Sequence, residues 1–307
     1  MKKTILIFGI SSFVGSNLAQ FLKDDFRIVG TYNKTPVFIP GVTCFPCDVL
    51  KKEYVSNLVA IIKPDITIYA VGLSSLTDCS NFNNLANALN TTGAINCCKA
   101  SERLNSKFVY LSSSYVLGGE DVVYKEGDTP FPSTVFGNSL SATEFYVQRS
   151  CLNYFILRCA TIYGRSYNPK HNNWFEYLQA SLAKNEQINV DETVMTGFLD
   201  IYIVARIIKT ALEANVTNRL FHVSSKDWMN RYDFARAYAK IFKKDEQLIQ
   251  RVSNVFPVDQ NLKRNNHIPD RFYFKTDTTN LEEFLNTKMP KIEDSLELTY
   301  KRFHIKS

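Results

Sequence analysis

The stretch Thr4-Ile-Leu-Ile-Phe-Gly-Ile-Ser-Ser-Phe-Val-Gly15 decides the fold of this chain. Its first five residues form a short apolar run ending in glycine, a pattern typical of a buried parallel strand. Residues 14–22 then carry helical spacing. A strand that turns tightly through glycines into a helix is typical of dinucleotide sites, because the N–H groups at the helix N-terminus bind phosphate. Gly9 and Gly15 have the GxxGxxG spacing, with Ser12 replacing the middle glycine.

Strands and helices alternate through the first half of the chain. Further strands are predicted at 26–31, 42–45, 66–71, 107–111 and 154–158, and helices at 54–62, 82–104 and 139–149. This alternation predicts an α/β fold, a Rossmann-type doubly wound parallel sheet covered on both faces. After residue 164 the rhythm breaks down, which predicts a smaller C-terminal α/β domain of the substrate-binding type. We therefore divide the chain into residues 1–164 and 165–307, with a segment near 196–223 returning to the first domain.

The composition excludes several classes of protein. The chain has 307 residues, of which 45% are hydrophobic and 21% are charged. This apolar content is enough for a globular core and argues against intrinsic disorder. No apolar run reaches the ~18 residues that a membrane span requires. The net charge of +6 suits an anionic small molecule such as a nucleotide, but the charge is spread along the chain and does not indicate nucleic-acid binding.

The seven cysteines indicate a reducing compartment. They are odd in number and lie in apolar contexts, so we expect free thiols in a cytoplasmic protein. Cys44 and Cys47 have the CxxC spacing, but no second pair or histidine cluster accompanies them, and we expect neither a redox motif nor a metal site. Lys2 and Lys3 precede an apolar run that Gly9 interrupts, and we expect no signal peptide.

The residues that follow the first three strands predict how a dinucleotide is held. In the glycine turn, the predicted contacts are Gly9, Ser11, Ser12, Phe13, Val14 and Gly15. Asn33 and Lys34 follow the second strand, where NAD sites carry an acid for the ribose 2′-hydroxyl, so NADP(H) is favoured over NAD(H). Lys34 is alternatively a solvated surface charge. Asp48 and Val49 follow the third strand and are placed to meet the adenine edge, although Asp48 is alternatively the cap of the next helix.

Further motifs extend beyond the glycine turn. They are Leu89-Asn-Thr-Thr-Gly93-Ala-Ile-Asn96, Leu111-Ser-Ser-Ser-Tyr-Val-Leu-Gly118, Tyr124-Lys-Glu126, Thr129-Pro130, Phe136-Gly-Asn-Ser-Leu140 and Leu157-Arg-Cys-Ala-Thr-Ile-Tyr-Gly164. Through these motifs most of the chain resembles the extended short-chain dehydrogenase/reductase family. The branch it resembles contains dTDP-4-dehydrorhamnose reductase and a non-catalytic relative, the regulatory beta subunit of methionine adenosyltransferase. The resemblance implies the fold and a nucleotide-sugar ligand.

The catalytic residues of that family are only partly present. The family uses a Ser or Thr, a Tyr that exchanges a proton with the carbonyl oxygen, and a Lys four residues later that lowers the tyrosine pKa and holds the nicotinamide ribose. Ser113 matches the first position, but Phe136 and Leu140 occupy the Tyr and Lys positions. None of the sixteen tyrosines has a lysine four residues later. The usual mechanism is therefore expected to be absent.

The resemblance also implies the rest of the site. The remaining cofactor residues are Ala70, Val71, Gly72, Leu111, Ser112, Leu140, Cys159, Thr161 and Ile162. The residues assigned to the nucleotide sugar are Asp78, Ser114, Tyr115, Trp228 and Arg271. A purely structural role stays open for each of several of these residues. Ser113 is alternatively a satisfied hydroxyl at a strand end, and Tyr115 a core residue. Asp78 is alternatively a helix cap, and Trp228 and Arg271 make ordinary surface contacts.

Two functions fit these observations. The first is an NAD(P)-binding protein of nucleotide-sugar metabolism that acts by binding, as a regulatory subunit or sensor, with a protein partner if it is regulatory. The second is an active nucleotide-sugar reductase or epimerase with a substituted acid/base. The alternative for the cofactor is that none binds. We expect no nucleic-acid or membrane partner, and a homodimer only by analogy with the family.

Overall fold

The computed structural model describes residues 2–168, 173–259 and 270–304. The elements of the first half are β1 (Thr4–Phe8), α1 (Phe13–Leu22), β2 (Arg27–Tyr32), β3 (Thr43–Pro46), α2 (Lys52–Ile62), β4 (Ile66–Tyr69), α3 (Leu76–Asn81), α4 (Asn83–Asn87), a π-helical turn (Ala88–Gly93), α5 (Ala94–Glu102), β5 (Lys107–Ser113), β6 (Val123–Tyr124), α6 (Val135–Ser150) and β7 (Tyr154–Cys159). Those of the second half are β8 (Thr161–Tyr163), α7 (Trp174–Ala183), β9 (Ile188–Asp191), β10 (Val194–Thr196), β11 (Phe198–Asp200), α8 (Ile201–Glu213), β12 (Arg219–Val223), α9 (Arg231–Ile241), β13 (Ile249–Val252), β14 (Phe272–Thr276), α10 (Thr279–Leu285) and α11 (Ile292–His304).

Seven strands form one parallel sheet in the order β12-β7-β5-β4-β1-β2-β3. Strand β1 lies between β2 and β4, so the chain winds outward in one direction and then restarts in the other. In such sheets, ligands bind outside the carboxyl ends of the strands at this point of reversal. The prediction of a Rossmann-type doubly wound parallel sheet is confirmed.

Apolar clusters bury both faces of this sheet. On one face, Leu18 of α1 and Val204 and Ile208 of α8 are fully buried with the sheet residues. On the other face, Val55 of α2 and Val147 of α6 belong to a second cluster. Burial on both sides explains why the strands are apolar throughout rather than alternating. The two layers of helices leave the carboxyl edge of the sheet as the face available for a ligand.

The second half adds small sheets and an aromatic core. Strands β10, β14 and β6 form one three-stranded sheet, and β11–β8 and β13–β9 form two pairs. Phe198 stacks on Phe234 with ring centroids 4.3 Å apart, within a cluster that includes Phe175 and Leu296. Strand β12 pairs with β7 at the edge of the large sheet. The division of the chain at residue 164 stays a prediction.

The helix predicted over residues 82–104 is present as helical backbone over 83–102, but its middle is π-helical. Two α-helices are separated there by the π-helical turn, whose wider backbone rotates the second helix relative to the first. Phe82, Leu85 and Leu104, which the helical spacing placed on the buried face, are 58%, 45% and 41% exposed. Cys97, on the same predicted face, is fully buried. A periodicity argument assumes an unbroken helix and so cannot anticipate this rotation.

Helix α6 begins four residues before the predicted start at 139. Thr134 is its cap, since the Thr134 hydroxyl accepts a hydrogen bond from the Gly137 N–H at 3.0 Å. The first turns of α6 therefore carry Phe136 and Leu140. The predicted strand over 66–71 in turn ends at Tyr69, so that residues 70–72 leave the ladder at the carboxyl edge.

Beneath that edge lies a buried polar row. Ser112, Arg158 and His222 are opposite one another on β5, β7 and β12. Glu144 of α6 accepts from the Arg158 guanidinium at 2.8–3.1 Å and from the Ser112 hydroxyl at 2.5 Å. The pair is almost fully buried, so removing either partner alone would leave an uncompensated charge, which costs about 3–5 kcal/mol. This pair fixes α6, and with it Phe136 and Leu140, against β5 and β7.

The buried row makes stability depend on pH through His222. Burial, and secondly the Arg158 charge, lower the pKa of His222 to about 4. In the unfolded chain the pKa is about 6.5, so between these values the unfolded state binds a proton that the folded state does not. The free energy of unfolding should therefore fall by about 2 kcal/mol from pH 7 to pH 5 because of this residue. In urea titrations at both pH values, the free energy of unfolding of His222→Gln should not show this fall of about 2 kcal/mol.

The exposed His304 provides the control. A His304→Gln variant tests the general effect of losing one imidazole. Equal pH dependence in the natural protein and in His222→Gln would contradict the assignment.

Candidate functional site

The glycine turn is built to receive an anion. Gly9 has a φ of +84°, in the left-handed region that favours glycine, and its N–H donates to the Thr31 carbonyl at 3.0 Å. Ser12 is the cap of α1, and its hydroxyl accepts from the Gly15 N–H at 2.9 Å. The N–H groups of Phe13 and Val14 begin the helix and have no carbonyl one turn earlier. They are placed, with the positive end of α1, to bind a diphosphate.

A loop from the second half of the chain braces this turn. The Asn168 side chain donates to the Ser11 carbonyl at 2.8 Å and is 3% exposed. The Asn17 side chain in α1 donates to the carbonyls of Phe13 at 2.9 Å and Arg165 at 3.1 Å. Sequence reasoning missed Asn168, because an asparagine in an irregular loop 157 residues from its partner carries no local signal.

The residues after β2 and β3 lie beside the turn. Asn33 and Lys34 follow β2 directly and are exposed, which leaves both side chains free to meet a phosphate. The alternative reading of Asp48 as a helix cap is wrong: α2 begins after Lys51, which makes no side-chain cap. Asp48 accepts instead from the Leu50 N–H at 3.0 Å, within its own turn. Val49 is 4% exposed and packs in the core, so its side chain is not available to a ligand.

The residues that end or follow β4, β5 and β7 lie along the same carboxyl edge of the sheet. Ala70, Val71 and Gly72 follow β4, and a β-carbon on Gly9 would lie 2.7 Å from the Ala70 carbonyl oxygen, so the two segments are in contact. Leu111, Ser112 and Ser113 end β5, and Ser113 is in register with Cys159 of β7. Thr161 and Ile162 follow on β8.

The side chains of Ser112 and Cys159 have little capacity to form hydrogen bonds with a ligand. The Ser112 hydroxyl is used by Glu144, so only the Ser112 backbone can reach a ligand. Burial raises the pKa of the Cys159 thiol to about 12, so this group is neutral.

Phe136 and Leu140 pack as hydrocarbon among apolar residues, Phe136 beside Tyr115. Leu140 is 5% exposed and lies in an apolar cluster with Tyr110, Leu117 and Val147. The Phe136 ring lies 5.9 Å from the Tyr115 ring, between centroids. No acid or base is supplied by either position.

The π-helical turn holds α6 to the segment after β4. The Asn90 side chain accepts from the Leu73 N–H at 2.9 Å and donates to the Leu73 carbonyl at 3.0 Å and to the Ser139 hydroxyl at 2.9 Å. Thr91 donates to the Ser139 carbonyl at 2.8 Å. π-turns are rare and occur mostly at functional sites. An asparagine in a helix interior is the sequence signal that could have singled out Asn90.

Residues 113–115 form the polar part of the edge. The Ser113 hydroxyl accepts from the Tyr115 N–H at a long 3.4 Å, so it retains capacity for a ligand. The Ser114 side chain is 1% exposed, and its hydroxyl has no hydrogen-bond partner in the described part of the chain. Tyr115 packs against Phe274 with centroids 4.4 Å apart. Burial raises the pKa of Tyr115, and the Arg231 charge opposes this, so the phenol is protonated at neutral pH.

The remaining predicted residues lie around this group. Asp78 is exposed in the first turn of α3, whose cap is Ser75, so the reading of Asp78 as the cap is wrong. The Trp228 indole lies 5.8 Å from the Lys275 ammonium, and its buried N–H has no partner among the residues described. The exposed Arg271 guanidinium donates to Glu192 at 3.0 Å and is thus already paired.

The CxxC cysteines do not form a second site. All seven thiols are free. Cys44, in β3, and Cys47, which follows β3, pack into apolar clusters on opposite faces of the sheet. Within residues 2–168, 173–259 and 270–304, no group of three His, Cys, Asp or Glu side chains is arranged to hold a metal ion. The same residues contain no helix with the length and apolar character of a membrane span.

Comparison with known proteins gives concordant findings. The sequence model of the family described as RmlD substrate binding domain matches residues 1–305. A dTDP-4-dehydrorhamnose reductase of Aggregatibacter actinomycetemcomitans is 25% identical over 261 residues, which cover 83% of this chain and 82% of the relative. The methionine adenosyltransferase 2 subunit beta of Danio rerio is 22% identical over 246 residues, which cover 78% of this chain and 74% of the relative.

A solved structure shows the same fold. The dTDP-4-dehydrorhamnose reductase of Bacillus anthracis str. Ames, in complex with NADP, matches with a TM-score of 0.82. The sequence identity is 22%, over 98% of this chain and all of that chain.

Proposed function

This chain belongs to the RmlD substrate binding domain family, and from that membership we propose that it binds a nicotinamide dinucleotide and a nucleotide sugar without the usual hydride-transfer chemistry. It is related to nucleotide-sugar reductases and epimerases. Its role is regulation or sensing in nucleotide-sugar metabolism. The observation that carries the proposal is the pair Phe136 and Leu140, which place hydrocarbon where a reductase of this family carries its proton donor and its lysine.

What the proposed mechanism lacks is a proton donor, whereas the fold around α6 is kept. A bound nicotinamide supplies the hydride, and the protein must supply a proton to the carbonyl oxygen. Phe136 has no hydroxyl, and Leu140 is embedded in an apolar cluster with no charge to lower the pKa of a neighbouring phenol. General acid catalysis typically contributes ~10²–10⁴-fold to the rate. The hydrogen bonds of Asn90 still hold α6 in place around these two residues.

The residues of the glycine turn fit the diphosphate of a dinucleotide. Gly9 and Gly15 allow the backbone to approach closely, and the N–H groups of Phe13 and Val14 are placed to donate to it. Asn33 and Lys34 support NADP(H) over NAD(H), since both tolerate a 2′-phosphate that an acid would repel.

The nucleotide sugar is proposed to lie beside Ser113, Ser114 and Tyr115. Asp78 and Trp228 are the further assigned contacts. Arg271 must exchange its bond to Glu192 for the ligand if it takes part. Seven free thiols support a cytoplasmic location. A regulatory role implies a protein partner, and a homodimer is proposed by analogy with the family.

Changing the charge of the helix cap should separate binding from folding. Asp and Asn both cap helices as well as Ser does, so Ser12→Asp and Ser12→Asn should each preserve α1. Only Ser12→Asp places a carboxylate beside the diphosphate. Calorimetric titration with NADPH should show at least tenfold weaker binding for Ser12→Asp than for Ser12→Asn. Equal affinities of the two variants would place the cofactor elsewhere.

Turnover by the natural protein tests the proposed lack of chemistry. With NADPH and a 4-keto-6-deoxy nucleotide sugar, NADPH absorbance should not fall at rates typical of enzymes, about 1 s⁻¹ or more. The double variant Phe136→Tyr/Leu140→Lys restores the donor and the charge, and should be faster than the natural protein. Turnover near 1 s⁻¹ by the natural protein would refute the proposal.

One observation favours the second candidate, an active reductase with a substituted acid. Tyr115 is a protonated phenol whose ring lies beside Phe136; burial raises its pKa, and the Arg231 charge opposes part of that rise. In that case Tyr115→Phe should reduce kcat at least a hundredfold, with a smaller effect on KM. Tyr146→Phe, a matched change near the C-terminal end of α6 where Tyr146 contacts Lys99, should leave kcat unchanged. A Tyr115→Phe variant as active as the natural protein excludes Tyr115 as the acid.

A further inference from the structure

We propose that Cys98 and Cys151 are an oxidation-sensitive pair, in which a hydroperoxide converts two neighbouring thiols into a disulfide that ties α5 to the end of α6. The proposal goes beyond the proposed function and does not depend on it, because neither residue belongs to the candidate functional site. In a reducing compartment, a disulfide of this kind is usually transient and serves redox sensing or catalysis rather than permanent stabilisation.

Two helices bring the thiols together. Cys98 lies in α5, and Cys151 is the residue at which α6 ends. The two helices pack against each other, and both cysteines belong to one apolar cluster. Cys98 is fully buried and Cys151 is 6% exposed. The Cys98 thiol donates a hydrogen bond to the Cys151 sulfur, so the two sulfur atoms face each other with no side chain between them.

Within the pair, Cys151 is the nucleophile. The hydrogen bond from Cys98 lowers the pKa of the Cys151 thiol, and burial and the Glu102 carboxylate oppose part of this effect. The same hydrogen bond, and secondly burial, raise the pKa of Cys98, which keeps its proton. The pKa of each of the other five thiols is raised, in each case chiefly by burial. Because the thiolate is the reactive form, oxidation should start at Cys151.

The place of Cys151 at a helix end gives a small oxidant a route to its sulfur. Cys151 follows the last turn of α6 and precedes Leu152, which is 80% exposed. Helix ends fray, whereas Cys97 and Cys98 lie in the interior of α5 and are fully buried. A hydroperoxide should therefore reach Cys151 before it reaches the two thiols of α5.

The oxidation is balanced in two steps with hydrogen peroxide as the oxidant. The Cys151 thiolate attacks one peroxide oxygen, the O–O bond breaks, and the hydroxide that leaves takes up the proton released by Cys151, which becomes a sulfenic acid. The Cys98 sulfur then attacks the Cys151 sulfur, the S–O bond breaks, and hydroxide leaves with the Cys98 proton as water. In total the two thiols lose two electrons and two protons, and one peroxide is reduced to two waters.

Hydrogen peroxide applied to the full-length reduced protein tests the proposal. Peptide mapping after alkylation of the denatured protein should show Cys98 joined to Cys151 and the other five thiols alkylated. Dithiothreitol should then restore seven alkylated thiols. Three results would each overturn the proposal: seven alkylated thiols after peroxide, a link within another pair such as Cys47 and Cys97, or a sulfinic acid at Cys151 without a link.

Alanine variants separate the two steps. In Cys98→Ala, oxidation should stop at a sulfenic acid on Cys151, which dimedone labels, and should be slower because the hydrogen bond is lost. In Cys151→Ala, neither a link nor a label at Cys98 should form. Cys97→Ala is the matched control, since Cys97 is the adjacent buried thiol of the same helix, and it should form the link as the natural protein does.

The melting temperature of each variant shows whether it is folded. Mapping of the natural protein needs no variant, so it decides the proposal even if a variant does not fold. Dimedone labelling of Cys98 in a folded Cys151→Ala protein, as fast as that of Cys151 in Cys98→Ala, would overturn the assignment of Cys151 as the nucleophile.

Discussion

The close packing of Gly15 on the carbonyl of Gly9 is the constraint on which the site depends. A β-carbon on Gly15 would lie 2.2 Å from that oxygen, and one on Gly9 would lie 2.7 Å from the Ala70 carbonyl oxygen. These contacts bring the N-terminus of α1 directly onto the end of β1, at the point where the strand order reverses. The polar half of the site, the brace from Asn168 and the course of the segment after β4 all follow from this approach.

The second half of the site depends on a different interaction, the buried pair of Glu144 with Arg158. It ties α6 to β7, and through Ser112 to β5. Asn90 adds a second attachment, from the π-helical turn to Ser139. Both are polar interactions in an apolar interior, where a missing partner costs more than a complete set contributes. The position of α6 is therefore well determined by polar contacts at two points along it.

Local sequence signals were sufficient to predict the first strand, turn and helix. They were insufficient to predict contacts between residues far apart in the sequence. The strand β1, the glycine turn and α1 could be predicted because a buried strand, a tight turn and a helix cap are each encoded within a few residues. The assignment of Phe136 and Leu140 to the family's Tyr and Lys positions also rests on one short motif, and it stays a prediction. The brace from Asn168 to Ser11 could not, because it joins residues far apart through an irregular loop. Asp48 and Asp78 show a third case: each has a side chain suited to capping, but the helices begin after Lys51 and Ser75, so composition alone placed the caps wrongly.

The apolar character of Leu140 also bears on what the protein requires of a ligand. A buried ammonium at this position would need a partner for its charge, and in a reductase the ribose hydroxyls of the cofactor contribute to it. Leu140 needs none, since its side chain is buried in the apolar cluster that includes Tyr110, Leu117 and Val147. The N–H groups of Phe13 and Val14, by contrast, lack acceptors within the helix. The glycine turn therefore keeps donors for an anionic ligand, whereas the Leu140 side chain is accommodated by the fold itself.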